Sequence, residues 1–290
     1  MNNLINLIDK KLDEYLQITY PEDIFKAMKY SLMLPGKRLR PVMCLETVRM
    51  LGGNIEKALP TACAIEMLHV QSLIHDDLPC MDNDDFRRGQ PSNHKVFGEA
   101  NAVLAGDALL TFAPQLIIEK TKGLLTDETI LKLVHEYTKF AGAYALIAGQ
   151  VVDIESEDGK LIKSPEETLE FIHLNKTAVL FRLAVRTGAI IAEANEDVIE
   201  EMDEFAKTFG LAFQIYDDIM DEISTFEELG KTIGKDKNTG KLTYVSLYGL
   251  DEAKKKFELL INDCYAIVEK YNSTIFKDIL NKLRDRILGV

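Results

Sequence analysis

The chain has 290 residues, 47% of them hydrophobic and 28% charged, with a formal net charge of −13 at pH 7. That share of apolar residues excludes a disordered chain and is enough for a sizeable core. The acidic balance argues against nucleic acid as a partner, while a local basic pocket for a small anion stays open.

The start, Met1-Asn2-Asn3-Leu4, has neither the basic residues nor the apolar stretch of a signal peptide, and no run of about 18 apolar residues stands out as a membrane span. The expectation is a soluble, cytoplasmic protein without stable membrane insertion. Cys44, Cys63, Cys80 and Cys264 lack metal-ligand spacing, so neither a zinc site nor a disulfide framework is expected. No Pro-, Gly- or Ser-rich linker divides the chain, and residues 1–290 are expected to form a single domain.

Helical periodicity runs from end to end and predicts an all-α protein. Amphipathic helices are expected over 3–18 and 22–33, divided by Tyr20-Pro21 and closed by Pro35-Gly36. Gly36-Lys37-Arg38-Leu39-Arg40-Pro41 follows, with Lys37 and Arg40 read as one helical turn apart. A long helix is predicted over 56–77, with Glu66, His69, Leu73 and Asp76 on one side and Pro79 as its stop. After a polar loop containing Phe86-Arg87-Arg88-Gly89-Gln90-Pro91, helices are expected near 98–121, 127–154, 165–194 and 196–222. Pro114 predicts a kink, and Ser164-Pro165 and Asn195-Glu196-Asp197 are helix starts. Residues 223–241 are rich in Lys and Gly and read as a mobile loop before helices near 243–270 and 274–288.

Two acidic clusters stand out: Asp76-Asp77 with Asp82, Asp84 and Asp85, and Asp217-Asp218 with Asp221. Each follows a long apolar segment. Carboxylates gathered at a helix C-terminus oppose its partial negative charge unless a cation answers them, and Mg2+ prefers such oxygens. An isolated Asp run is more often a solvated face; two runs at apolar helix ends point to one shared divalent-metal site. Lys37 and Arg40, Arg87 and Arg88, and Lys231 and Lys235 supply cations suited to phosphate oxygens.

Together, Gly36-Lys37-Arg38-Leu39-Arg40-Pro41, Asp76-Asp77-x4-Asp82 with Arg87-Arg88-Gly89, Gln150-x2-Asp153, Lys176-Thr177, Gln214-x2-Asp217-Asp218-x2-Asp221 and Gly230-Lys231 closely resemble the trans-isoprenyl diphosphate synthases over nearly the whole chain. The four-residue gap before Asp82 resembles the bacterial short-chain branch that includes farnesyl diphosphate synthases. The resemblance implies a helical bundle around a large cavity. It also implies condensation of isopentenyl diphosphate with dimethylallyl or geranyl diphosphate to give farnesyl diphosphate. Mg2+ ions, about three per site, would be held by Asp76, Asp82, Asp217 and Asp221, with Asp77 and Asp218 in or behind that shell. By the same resemblance Lys37, Arg40, His69 and Arg88 bind isopentenyl diphosphate. Arg87, Lys176, Thr177, Gln214 and Lys231 bind the allylic substrate, assisted by Lys235, and a homodimer is expected.

Gln71 and Ser72, roughly 6–8 Å from Asp76 along the helix, would set product length. Many C15 synthases of the family carry tyrosine where this chain has Gln71, so a geranylgeranyl diphosphate synthase is the alternative within the class. A terpene cyclase would not need Lys37, Arg40 and Arg88 for a second diphosphate, and a non-catalytic partner subunit would have little reason to keep both metal clusters.

Overall fold

The structure, a computed structural model, describes residues 1–160, 163–223 and 242–289. The stretch 224–241, with Lys231 and Lys235, lies outside the described residues. The fold is all-α, and among the described residues the strands are a two-residue ribbon, β1 (Phe86–Arg87) paired antiparallel with β2 (Gln90–Pro91). The chain forms two compact units, Met1–Thr138 with Thr187–Glu193 and Lys139–Arg186 with Ala194–Val290.

In the first unit, α1 (Asn2–Tyr15), α2 (Glu22–Leu32) and α3 (Leu39–Met50) lead into α4 (Ile55–Asp76). The Asn54 side chain caps α4 by accepting the Glu56 amide at 2.9 Å. Every residue of α4 from Ala58 to Leu68 is buried, and a helix covered on all sides belongs at the centre of its unit. It packs against α1, α2, α3 and α6 (Glu99–Thr121). The short α5 (Asn93–Phe97) joins the ribbon to α6.

Contrary to expectation, α6 is long and apolar enough by composition to cross a membrane, with a mean hydropathy of 1.4 over its most apolar window. Part of that apolar surface is packed within the unit, where Ala102, Ala105, Gly106, Leu109, Ala113, Leu116 and Ile117 are buried. The helix continues through Pro114.

The expected helix over 127–154 divides into α7 (Asp127–Ala141) and α8 (Leu146–Glu157). Gly142 weakens helix propensity at the break, and its carbonyl accepts the Ala145 amide at 3.1 Å. The stretch expected as one helix over 165–194 is α9 (Pro165–Ile172), a π-helical turn His173–Ala178 and α10 (Val179–Ile191). Ser164 and Glu167 form a capping box at its start.

The second unit is arranged around α11 (Glu196–Ile223), which packs on the π turn, α12 (Tyr244–Tyr248), α13 (Leu250–Lys270) and α14 (Thr274–Leu288). Gly249, at φ 82°, separates α12 from α13, where one helix near 243–270 was expected. Phe181, Phe209, Phe257 and Phe276 are at most 2% exposed, and burying each stabilises the unit by about 2 kcal/mol. Gly210 lets α11 approach the π turn closely, since a Cβ there would lie 2.4 Å from Ala178 Cα.

Candidate active site

The basic corner of the first unit is built on a strained residue. Arg38, at φ 46°, precedes the first turn of α3, so Lys37 stands outside the helix and Arg40 inside it, not one helical turn apart as expected. Arg38 is buried and donates four hydrogen bonds: to Asp9 at 2.7 Å, Glu66 at 2.8 Å, and the carbonyls of Leu32 and Leu34 at 2.9 and 3.1 Å. It is a strut for the corner. Arg40 Nη1 lies 3.3 Å from His69 Nε2. Burial, then the charges of Arg40 and Arg88, hold the His69 pKa well below the usual histidine range, so the ring is neutral.

The C-terminus of α4 carries the first aspartate motif. The Leu78-Pro79-Cys80-Met81 insert folds back as a turn in which the Asp82 amide donates to the Asp76 carbonyl at 2.8 Å. That bond brings Asp76 and Asp82 together despite their separation in sequence. Asp77 faces inward at 2% exposure and accepts Arg87 Nε at 2.9 Å and Nη2 at close range. Burial raises the Asp77 pKa, with Arg87 opposing the shift. Arg87 also reaches Asp84 at 3.4 Å. Arg88 and Gly89, both at positive φ, form the tip of the ribbon, the pattern of a type I′ turn.

Below Asp76, Gln71 Nε2 lies 3.1 Å from His75 Nδ1, and His75 Nε2 lies 3.0 Å from the Val103 carbonyl of α6. Gly106 makes room for that ring: a Cβ there would fall 2.0 Å from His75 Nε2. The Ser72 hydroxyl donates to the His69 carbonyl at 2.9 Å, within its own helix.

In the second unit the π turn sets the geometry. Lys176 donates to the buried Asp153 at 2.5 Å, and Gly149 packs so closely that a Cβ would meet the Lys176 amide nitrogen at 2.5 Å. Thr177 Oγ1 donates to Gln214 Oε1 at 2.6 Å, and Gln214 Nε2 donates to Asp218 Oδ1 at 3.0 Å. The Tyr244 amide donates to Asp218 Oδ2 at 2.7 Å, and His173 Nε2 is 3.8 Å from the same oxygen. Asp217 is exposed beside the buried Asp218, and Asp221 follows one turn later on α11.

In the first unit the structure thus brings Arg40 to His69, Asp76 to Asp82 and Asp77 to Arg87, with Lys37 and Arg88 on the same unit, and in the second it joins Thr177, Gln214 and Asp218, with Lys176, Asp217 and Asp221 on the same unit. Sequence reasoning did not single out Asp9, His173 or the Tyr244 amide. Nor did it give Arg38 and Glu66 their pairing. An i, i+3 relation connects Glu66 to His69, but the Asp9 and Tyr244 contacts carry no local sequence signal.

This set of groups on an all-α scaffold marks the class of enzymes that work on prenyl diphosphates. The chain belongs to the polyprenyl synthetase family, whose pattern matches residues 21–283. It is 46% identical to a geranylgeranyl diphosphate synthase of Cyanophora paradoxa, over 89% of this chain and 85% of that one. It is 48% identical to the chloroplastic geranylgeranyl pyrophosphate synthase of Catharanthus roseus, over 88% of this chain and 71% of the relative. Among solved structures it resembles a Helicobacter pylori geranyltransferase complexed with magnesium and isoprenyl diphosphate, with a TM-score of 0.85, 29% identity and coverage of 100% and 96%. The protein is a prenyltransferase.

Proposed function

We propose that this chain is a geranylgeranyl diphosphate synthase, adding isopentenyl diphosphate repeatedly to an allylic diphosphate until a C20 product is released. The farnesyl assignment expected from the short-chain motif gives way to this one. Its main support is the residue at position 71, a Gln whose Nε2 lies 3.1 Å from His75 Nδ1, where many C15 synthases of the family carry tyrosine. The names of the two curated relatives agree.

Asp76 and Asp82, joined through their turn, and Asp217 and Asp221, one turn apart, offer the hard carboxylate oxygens that suit Mg2+. Bound there, Mg2+ would neutralise the leaving diphosphate and favour cleavage of its carbon–oxygen bond. Lys37, Arg40 and Arg88, with the neutral His69, hold isopentenyl diphosphate. Arg87 and Lys176 answer the allylic diphosphate, while Thr177 and Gln214 orient the reacting end. Lys231 and Lys235 would add charge to the allylic site. Loss of a proton to the departed diphosphate completes each addition, so no side-chain base is required.

Exposed Val103, Leu104 and Ile118 on α6 support self-association as a homodimer. The free cysteines suit a reducing compartment such as the cytoplasm.

Purified protein given dimethylallyl and isopentenyl diphosphates with Mg2+ should accumulate a C20 alcohol diphosphate, and Gln71→Tyr should shift the product to C15. A wild-type C15 product would return the assignment to a farnesyl diphosphate synthase. Turnover of an allylic diphosphate without isopentenyl diphosphate would indicate a cyclase.

A further inference from the structure

Glu66 is the one carboxylate in the fully buried stretch of α4 from Ala58 to Leu68, and its side chain is 1% exposed. A charge so enclosed needs cationic partners, and it has two. Its Oε1 accepts Arg38 Nη1 at 2.8 Å and stands 3.7 Å from Arg88 Nη2. The same two arginines also share the Leu34 carbonyl, at 3.1 Å from Arg38 Nη2 and 3.3 Å from Arg88 Nη1. Both have left-handed backbones, at φ 46° and 53°. Gly36 closes the arrangement, since a Cβ there would lie 2.7 Å from Arg88 Nη1.

The sharing is unequal. Arg38 takes the short bond to Glu66, and with Asp9 and two carbonyls four of its five N–H donors are engaged. Arg88 keeps a longer contact with the same carboxylate, so it is steered while retaining donors for an anion.

We infer that Glu66 is a positioning residue for isopentenyl diphosphate, holding the Arg88 guanidinium at the seat where it grips that substrate and screening it from Arg38. This rests on the elongation reading of the site. Glu66 acts through Arg88 and touches no reacting atom. Glu66→Gln keeps the shape and one acceptor but removes the charge. Two guanidiniums then face each other without a carboxylate between them, and Arg88 leaves its seat.

The test is steady-state kinetics with each substrate varied. Glu66→Gln should raise KM for isopentenyl diphosphate about tenfold, with kcat and the allylic KM changed less than about threefold. Glu66→Gln combined with Arg88→Gln should be no worse than Arg88→Gln alone. Effects that multiply, or an unchanged KM in Glu66→Gln, would overturn the proposal. If Glu66→Gln does not fold, Glu66→Asp keeps the buried charge but draws the carboxylate back by one methylene, loosening its hold on Arg88. It should show the same selective rise in KM, and a normal KM there would also overturn the proposal. Wild-type turnover that requires isopentenyl diphosphate checks the underlying reading separately: a wild type lacking it refutes elongation, whereas an active wild type with an unaffected Glu66 variant refutes only the positioning role.

Discussion

The two aspartate motifs solve one problem with different surroundings. In each, an adjacent pair lies on a helix or at its end, and residues about 100° apart around the axis cannot face the same way. Asp77 and Asp218 turn inward, at 2% and 7% exposure, while Asp76 and Asp217 keep solvent access. The inward partners differ. Asp77 is matched by the guanidinium of Arg87, so the first motif is held by an ion pair. Asp218 accepts the Gln214 amide and the Tyr244 amide, so the second is held by hydrogen bonds running from the π turn to the start of α12. The inward aspartate of each pair anchors its motif, and the proposed function gives the metal to the outward one.

That division sorts the aspartates by experiment. Asp76→Asn and Asp217→Asn should each lower kcat about 10²–10³-fold and leave the melting temperature nearly unchanged. A large loss of stability in either would show that the outward members are also anchors. Asp77→Ala should do the opposite first, destabilising the fold by about 3 kcal/mol by leaving Arg87 partly buried without its carboxylate; chemical denaturation reads this directly. Thr177→Val, which strips the donor from Gln214 Oε1 in the other unit, should cost about 1 kcal/mol, a smaller effect because no charge is stranded.

A further expected effect concerns pH. His69 has a depressed pKa when folded and titrates near 6.5 when unfolded. The unfolded chain therefore binds more protons below that pH, and stability must fall as pH drops, by at most about 1.4 kcal/mol per unit. Melting curves at pH 7.5 and 5.5 should show a larger loss for the wild type than for His69→Gln. Equal losses would place the acid sensitivity elsewhere.

Much of this was legible in the sequence. The all-α fold follows from periodicity, the ends of α4 and α11 from their apolar runs and acidic stops, and the cationic corner from its clustered Lys and Arg. Local breaks were harder to read. Gly142 and Gly249 each interrupt a periodic stretch, and a lone glycine in such a pattern is as often tolerated as not. The π turn at His173–Ala178 gives no compositional signal, because it is stabilised by close packing against Gly149 and Gly210 from elsewhere in the chain. Arg38 sits inside a basic motif, between the two residues read as phosphate ligands, and its own role carries no sequence signal. Only its burial against Asp9 and Glu66 shows it to be a strut.

The central proposal is repeated elongation to C20. It is tested most directly by analysing the prenyl products made by purified wild-type protein from dimethylallyl and isopentenyl diphosphates in excess Mg2+. The account predicts a C20 diphosphate as the main product; accumulation of C15 with no further growth when isopentenyl diphosphate is in excess would contradict it.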